Sequence, residues 1–162
     1  MLPTIRGHLL DLGCGTNELA RRYGEGVGVD VYQFGGVDVL VGDSAQLPFE
    51  DEIFDTVSIV AALNHIPNRR QTLREVRRVL RSNGRVVVTM IPPTISTAWH
   101  MLRRKWDADQ TLRGMKPGEV YGLRRAEVRT LLKEADFEII EEKAFMFGIN
   151  RLTVARKVAA AS

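Results

Sequence analysis

The sequence predicts a doubly wound α/β sheet of seven strands, mostly parallel with an antiparallel last strand. Three observations carry that prediction. Five short apolar runs rich in Val, Ile and Leu recur down the chain, bounded by Gly and Asp. They are nearly unbroken rather than alternating, as strands buried on both faces of a parallel sheet are. Helical patterns separate some of them, and two further strand-like runs close the sequence around a glycine.

"HLLDLG" (8–13) predicts the first strand, followed by a helix starting near Thr16. "VGVDV" (27–31) and "DVLVGD" (38–43) predict the second and third, with only "YQFGG" (32–36) between them, too short for a crossover helix. "FDTVSIVAAL" (54–63) and "GRVVVTMI" (84–91) predict the fourth and fifth. Between these two, Asn68 and Gln71 form a capping-box pattern that opens a helix. Leu73, Val76 and Leu80 make its buried stripe, and Arg70, Arg74, Arg77, Arg78 and Arg81 face outward. Asn83-Gly84 closes it. Pro92-Pro93 stops the fifth strand, and 92–120 reads as a helical insert with a polar second half. Val128, Leu131 and Leu132 point inward from a helix over 124–135. "FEIIEEKAF" (137–145) and "NRLTVARK" (150–157) form the last strand pair, turning near Gly148.

The 162 residues make one domain, 1–162. A single cysteine, Cys14, excludes an internal disulfide and, with no metal-ligand spacing, fits a reducing, cytoplasmic compartment. No apolar run approaches the ~20 residues that span a bilayer, and no basic-then-apolar leader opens the sequence. Charge is asymmetric: residues 1–65 hold 3 basic and 10 acidic side chains, residues 66–162 hold 20 and 10. A cationic ligand in the acidic half would fit that split; charges that merely solvate helix faces are the alternative.

Ligands of doubly wound sheets bind at the carboxyl ends of strands, near the switch in strand order. There "LLDLGCGTN" (9–17) supplies Gly13 and Gly15, which let the backbone turn sharply and approach a ligand. Glu18 stands where a third glycine of a dinucleotide fingerprint belongs, which disfavours a nicotinamide enzyme. Asp30, ending the second strand, can accept two hydrogen bonds from a ribose diol; a strand-end cap is the alternative. Asp43, ending the third, can accept from an adenine amino group.

The series "DLGCGTN", "VGVD", "GDSAQLPFEDEIFDTV", "ALNHIPN" and "LREVRRVLRSNGRVVVT" resembles the class I S-adenosylmethionine-dependent methyltransferases. The likeness is greatest to the group that includes ubiquinone- and menaquinone-biosynthesis enzymes. It implies a Rossmann-like fold, here in a minimal version lacking N-terminal helices, and S-adenosyl-L-methionine as cofactor. Carried over by position, Asp11, Gly13, Cys14, Gly15 and Asn17 form the turn at the methionine part and ribose. Asn17 occupies the family's third glycine, a left-handed position that Asn tolerates. Asp30 takes the ribose, Val31 is a further cofactor contact, and Asp43 and Ser44 take the adenine. Ala61, Ala62, Leu63 and Asn64 lie near the sulfonium.

Methyl transfer needs alignment and a dry site, and a base only where the nucleophile must lose a proton. His65, after the fourth strand, is the candidate base; a packed histidine is the alternative. Cys14 reads as a small buried residue rather than a nucleophile. Trp99, Arg103 and Trp106 of the insert, with Tyr121 after it, are the expected acceptor contacts, or else pack the sheet edge. The acceptor expected is a small molecule. Nucleic acid is less favoured, because no basic stretch interleaved with aromatics is present. A non-catalytic cofactor-binding subunit and an RNA or protein methyltransferase are the alternatives. The short architecture also leads us to expect a homodimer or partner chain covering an open flank of the cofactor pocket.

Overall fold

The computed structural model describes residues 2–93 and 117–158. Seven strands lie in the order β3-β2-β1-β4-β5-β7-β6. These are β1 (Leu9–Leu12), β2 (Gly26–Asp30), β3 (Val39–Leu40), β4 (Phe54–Val60), β5 (Leu80–Met90), β6 (Phe137–Phe145) and β7 (Asn150–Lys157). β1 pairs in parallel with β2 and β4, β2 with β3, and β4 with β5. β7 runs antiparallel to both β5 and β6. The chain therefore winds outward from β1 to β3, returns to β4 beside β1, and winds the other way. The crevice at the β1/β4 switch is where such sheets bind ligands.

The described helices are α1 (Glu18–Tyr23), α2 (Arg69–Val79) and α3 (Arg125–Glu134). One sheet face carries Leu10, Leu12, Val57, Ile59, Val86 and Val88, packed in one core with Leu73, Val76 and Val79 of α2 and Val128 and Leu132 of α3. The other face presents Leu9 to Ile5 and Ala20 of α1, and Val87 to Leu152 and Val154. The split follows the two-residue period of a strand. Each fully buried Leu, Ile or Phe contributes roughly 1.5–3 kcal/mol.

Several expectations need correction. The third strand spans only Val39–Leu40, not 38–43, because Asp43 turns the chain. Its Oδ1 accepts the Ala45 N–H at 2.9 Å, and its carbonyl accepts the Gln46 N–H at 3.1 Å. α2 has no capping box: the Asn68 amide donates instead to both oxygens of Asp43, at 2.8 and 3.0 Å. α2 ends at Val79, so Leu80 is buried as a strand residue. Asn83-Gly84 does not cap it. The β4–β5 register jumps between Phe54↔Leu80 and Thr56↔Arg85, and left-handed Asn83 (φ 64°) takes up the extra residues.

Arg78, expected to face outward, is half-buried. It donates to Glu75 and Asp51 and to the carbonyls of Leu47 and Phe49. It therefore ties the 47–51 loop to α2. No helix forms between β2 and β3. The β6–β7 turn forms at Met146, Phe147 and Gly148, all with positive φ. The helical pattern with Trp99, Arg103 and Trp106 falls within 94–116, outside the described residues.

Candidate functional site

A cleft of about 920 Å³ opens at the carboxyl ends of β1, β2 and β4. It brings together Gly13, Cys14, Gly15, Asp30, Val31, Asp43, Ser44, Ala61, Ala62 and His65. Five sequence-predicted residues stand back from it. Asp11 and Leu63 are buried, and Tyr121 is exposed. Asn64 is buried and bonds to Val120 in both directions. Asn17 is fully buried behind the turn. The cleft also gathers Phe34, Asn68 and Glu119, which the sequence reading did not assign to the site. Phe34 lies in the short β2–β3 link, and its ring meets that of Tyr32. Asn68 was visible only as a helix cap. Glu119 had no local signal, being one acid in a polar stretch.

The glycine turn is built by left-handed backbone. Gly13 (φ +73°) lies so close to β4 that a Cβ there would sit 2.5 Å from the Ala62 Cβ. Gly15 (φ +54°) has open space where its Cβ would be. Asn17 is left-handed at φ 61°, as expected for an asparagine at a glycine position. Its Nδ2 donates to the Gly36 carbonyl (2.9 Å) and Asp38 Oδ2 (2.7 Å). Asp38 Oδ2 also accepts the Gly28 N–H at 2.8 Å. Asn17 therefore secures the β2–β3 link that carries Phe34.

Asp30 is buried and held at both oxygens. Oδ2 accepts the Gly15 N–H at 2.9 Å, and Oδ1 the Tyr32 N–H at 3.0 Å. Each oxygen keeps further lone-pair capacity, which suits two adjacent hydroxyls. The Asn68 amide and the Ala45 N–H hold the Asp43 carboxyl below the usual carboxylate range. At the end of β4, Ala61 is forced to φ 51°, its N–H shared between the Thr89 carbonyl (3.2 Å) and hydroxyl (3.1 Å). His65 Nδ1 lies 3.4 Å from Glu119 Oε2.

Burial dominates two further groups. Cys14 is pushed up to about 12, by burial and then by Asp30 and Asp11, so its thiol stays protonated and inert. Asp11 is pushed up to about 6 by burial, opposed by the Ser58 hydroxyl donating at 2.6 Å and aided by Asp30. Between the ordinary value of 3.8 and about 6, folded protein holds a proton that the unfolded chain has lost. Stability from this group therefore falls as pH rises through that window, by about 3 kcal/mol at most. Asp11→Asn removes the titration. Urea unfolding of the two proteins from pH 4 to 7 is expected to show a flatter profile for the variant, and parallel profiles would refute the assignment.

The residues fit an adenosyl ligand. The volume suits a small molecule, the backbone at Gly15 leaves room for close approach, and Asp30 and Asp43 offer acceptors. Among the described residues no group of three or more His, Cys, Asp or Glu side chains is arranged to hold a metal ion. No described helix is long and apolar enough to cross a membrane.

The sequence pattern of the family described as "Methyltransferase domain" matches residues 10–88. Demethylmenaquinone methyltransferase of Thermotoga maritima is 40% identical over 57 residues, 35% of this chain and 25% of that protein. Demethylmenaquinone methyltransferase of Alkalihalophilus pseudofirmus is 31% identical over 101 residues, 49% of this chain and 43% of that protein. The chain thus spans less than half the length of these curated relatives. Among solved structures, an S-adenosylmethionine-dependent methyltransferase from Mesorhizobium loti superposes with a TM-score of 0.71 at 18% identity, covering 96% of this chain and 95% of that one. Sequence pattern and fold agree: residues 10–88 carry the methyltransferase-domain pattern, and the chain has the fold of S-adenosylmethionine-dependent methyltransferases.

Proposed function

We propose that the cleft binds S-adenosyl-L-methionine and that the chain transfers its methyl group to a small-molecule acceptor. The observation that carries this reading is the convergence of the Gly13–Gly15 turn, Asp30, Asp43 and the β4 end on one cleft at the switch point. Gly13 and Gly15 admit the ligand to the backbone. Asp30 receives the ribose hydroxyls, with Val31 beside it. Asp43 receives the adenine amino group, with buried Ser44 beside the ring. Ala61 and Ala62 are small, which leaves room at the reacting end.

When bound, the cofactor supplies a methyl group activated by its sulfonium. What this chain contributes is orientation, exclusion of water and a place for a proton. The acidic half, residues 1–65, supplies most of the cleft lining and complements a cationic ligand. Trp99, Arg103, Trp106 and Tyr121 are kept in the proposal as acceptor contacts, and 92–120 as the insert that carries most of them. A second copy or a partner chain beside the cleft, and action in the cytoplasm, belong to the same proposal.

The test is methyl transfer from labelled S-adenosylmethionine to extracts fractionated into small molecules, lipid, RNA and protein. We expect label in a small-molecule or lipid fraction. Label confined to RNA or protein would overturn the acceptor class. No transfer to any fraction, with cofactor binding intact, would favour a non-catalytic subunit.

A further inference from the structure

Glu119 stands between two anchored neighbours. On one side the Gly118 carbonyl accepts Arg69 Nη2 at 2.9 Å. On the other the Val120 N–H donates to the Asn64 carbonyl at 3.0 Å, and Asn64 Nδ2 donates back to the Val120 carbonyl at 3.1 Å. Arg69 is itself fixed to the same turn, donating to the carbonyls of Leu63 (3.0 Å) and Asn64 (2.9 Å). Gly118 is left-handed at φ +89°, and a Cβ there would meet the Pro67 Cβ at 2.9 Å. A side chain at that position would push the segment off the turn. The turn that holds Asn64 also holds His65, so Glu119 and His65 are carried by one tied unit.

The Glu119 side chain is 1% exposed, and its Oε2 lies 3.4 Å from His65 Nδ1. Burying a carboxylate is costly without donors, so the position is built rather than incidental. A carboxylate only accepts, so a hydrogen bond between them requires the proton on Nδ1. His65 Nε2 then carries a lone pair, and it has no partner among the described residues. Both residues line the cleft.

We propose that Glu119 is a positioning residue that holds His65 in the Nδ1–H tautomer, and that the acceptor is an O–H compound of phenol or enol type. The proposal rests on the cofactor reading above. The hydroxyl proton passes to His65 Nε2 as the acceptor oxygen bonds to the methyl carbon. The carbon–sulfur bonding pair stays on sulfur, and the positive charge ends on His65 beside Glu119. A neutral amine attacks through a free lone pair and needs no such base beforehand. A phenol with an ordinary pKa near 10 is only about one part in a thousand ionised at pH 7, so a positioned base raises its rate.

The test uses Glu119→Gln and Glu119→Asp, read first by ¹⁵N–¹H correlation of the imidazole in the protein without cofactor. Wild type is expected to show the Nδ1–H tautomer at His65. Glu119→Gln is expected to shift it toward Nε2–H, and Glu119→Asp to retain it in part. With an O–H substrate from the labelled screen, Glu119→Gln is expected to lower kcat about 10–100-fold with cofactor KM unchanged, and Glu119→Asp to recover part of the loss. A wild-type Nε2–H tautomer would overturn the proposal without any variant. So would unchanged tautomer and kcat in Glu119→Gln, or label found only on nitrogen, sulfur or carbon. Failure of wild type to bind S-adenosylhomocysteine would overturn the cofactor reading and the acceptor class with it; the tautomer would still decide the Glu119–His65 role.

Discussion

Asp30→Asn is expected to weaken S-adenosylhomocysteine binding about 10–100-fold. A hydrogen bond to a charged acceptor contributes roughly 1.5–3 kcal/mol, and each 1.4 kcal/mol is a factor of ten. The carboxylate already takes N–H groups from Gly15 and Tyr32, one on each oxygen. An amide keeps one acceptor oxygen and turns the other position into a donor facing an N–H group. The variant therefore loses acceptance toward the ligand and also disturbs the glycine turn. Stability without ligand is expected to fall by only about 1 kcal/mol, the ordinary worth of one such bond. Calorimetric titration with urea unfolding separates the two effects. Equal affinity in wild type and variant would remove Asp30 from the site.

Asn17→Ala is expected to be the most destabilising substitution near the turn, at about 3 kcal/mol, although Asn17 does not line the cleft. Alanine at φ 61° costs roughly 1–2 kcal/mol. The bonds to the Gly36 carbonyl and Asp38 add about 1 kcal/mol each. For a chain of this size that corresponds to a Tm lower by about 6–12 °C. Asn17→Gly isolates the backbone part, since glycine accepts the left-handed conformation and lacks only the side-chain bonds. It is expected to recover about 1 kcal/mol relative to alanine. If alanine and glycine destabilise equally, backbone strain contributes nothing there. If alanine is neutral, the side chain does not hold the β2–β3 link.

The contrast between these two residues shows what could be read from the sequence. The place of Asp30 in the cleft was legible because it ends the second strand beside the switch point. Asn17 was legible as a left-handed residue, but its partners Gly36 and Asp38 come from the far end of a link whose path no local pattern encodes. Apolar runs located all seven strands, since burial on both faces leaves a clear mark. The ends of the third and fifth strands were misread where short polar side chains had two uses. Asn68 looked like a helix cap and instead holds Asp43. Asn83-Gly84 looked like a helix stop and marks a strand irregularity. Glu119 was invisible because its position depends on Arg69 and Asn64, some fifty residues earlier.

The most direct test of the cofactor cleft is isothermal titration of the wild-type chain with S-adenosylhomocysteine, alongside NADH. The predicted result is one saturable site for S-adenosylhomocysteine and no heat from NADH. No saturable heat at millimolar S-adenosylhomocysteine, or saturable binding of NADH in its place, would contradict the account.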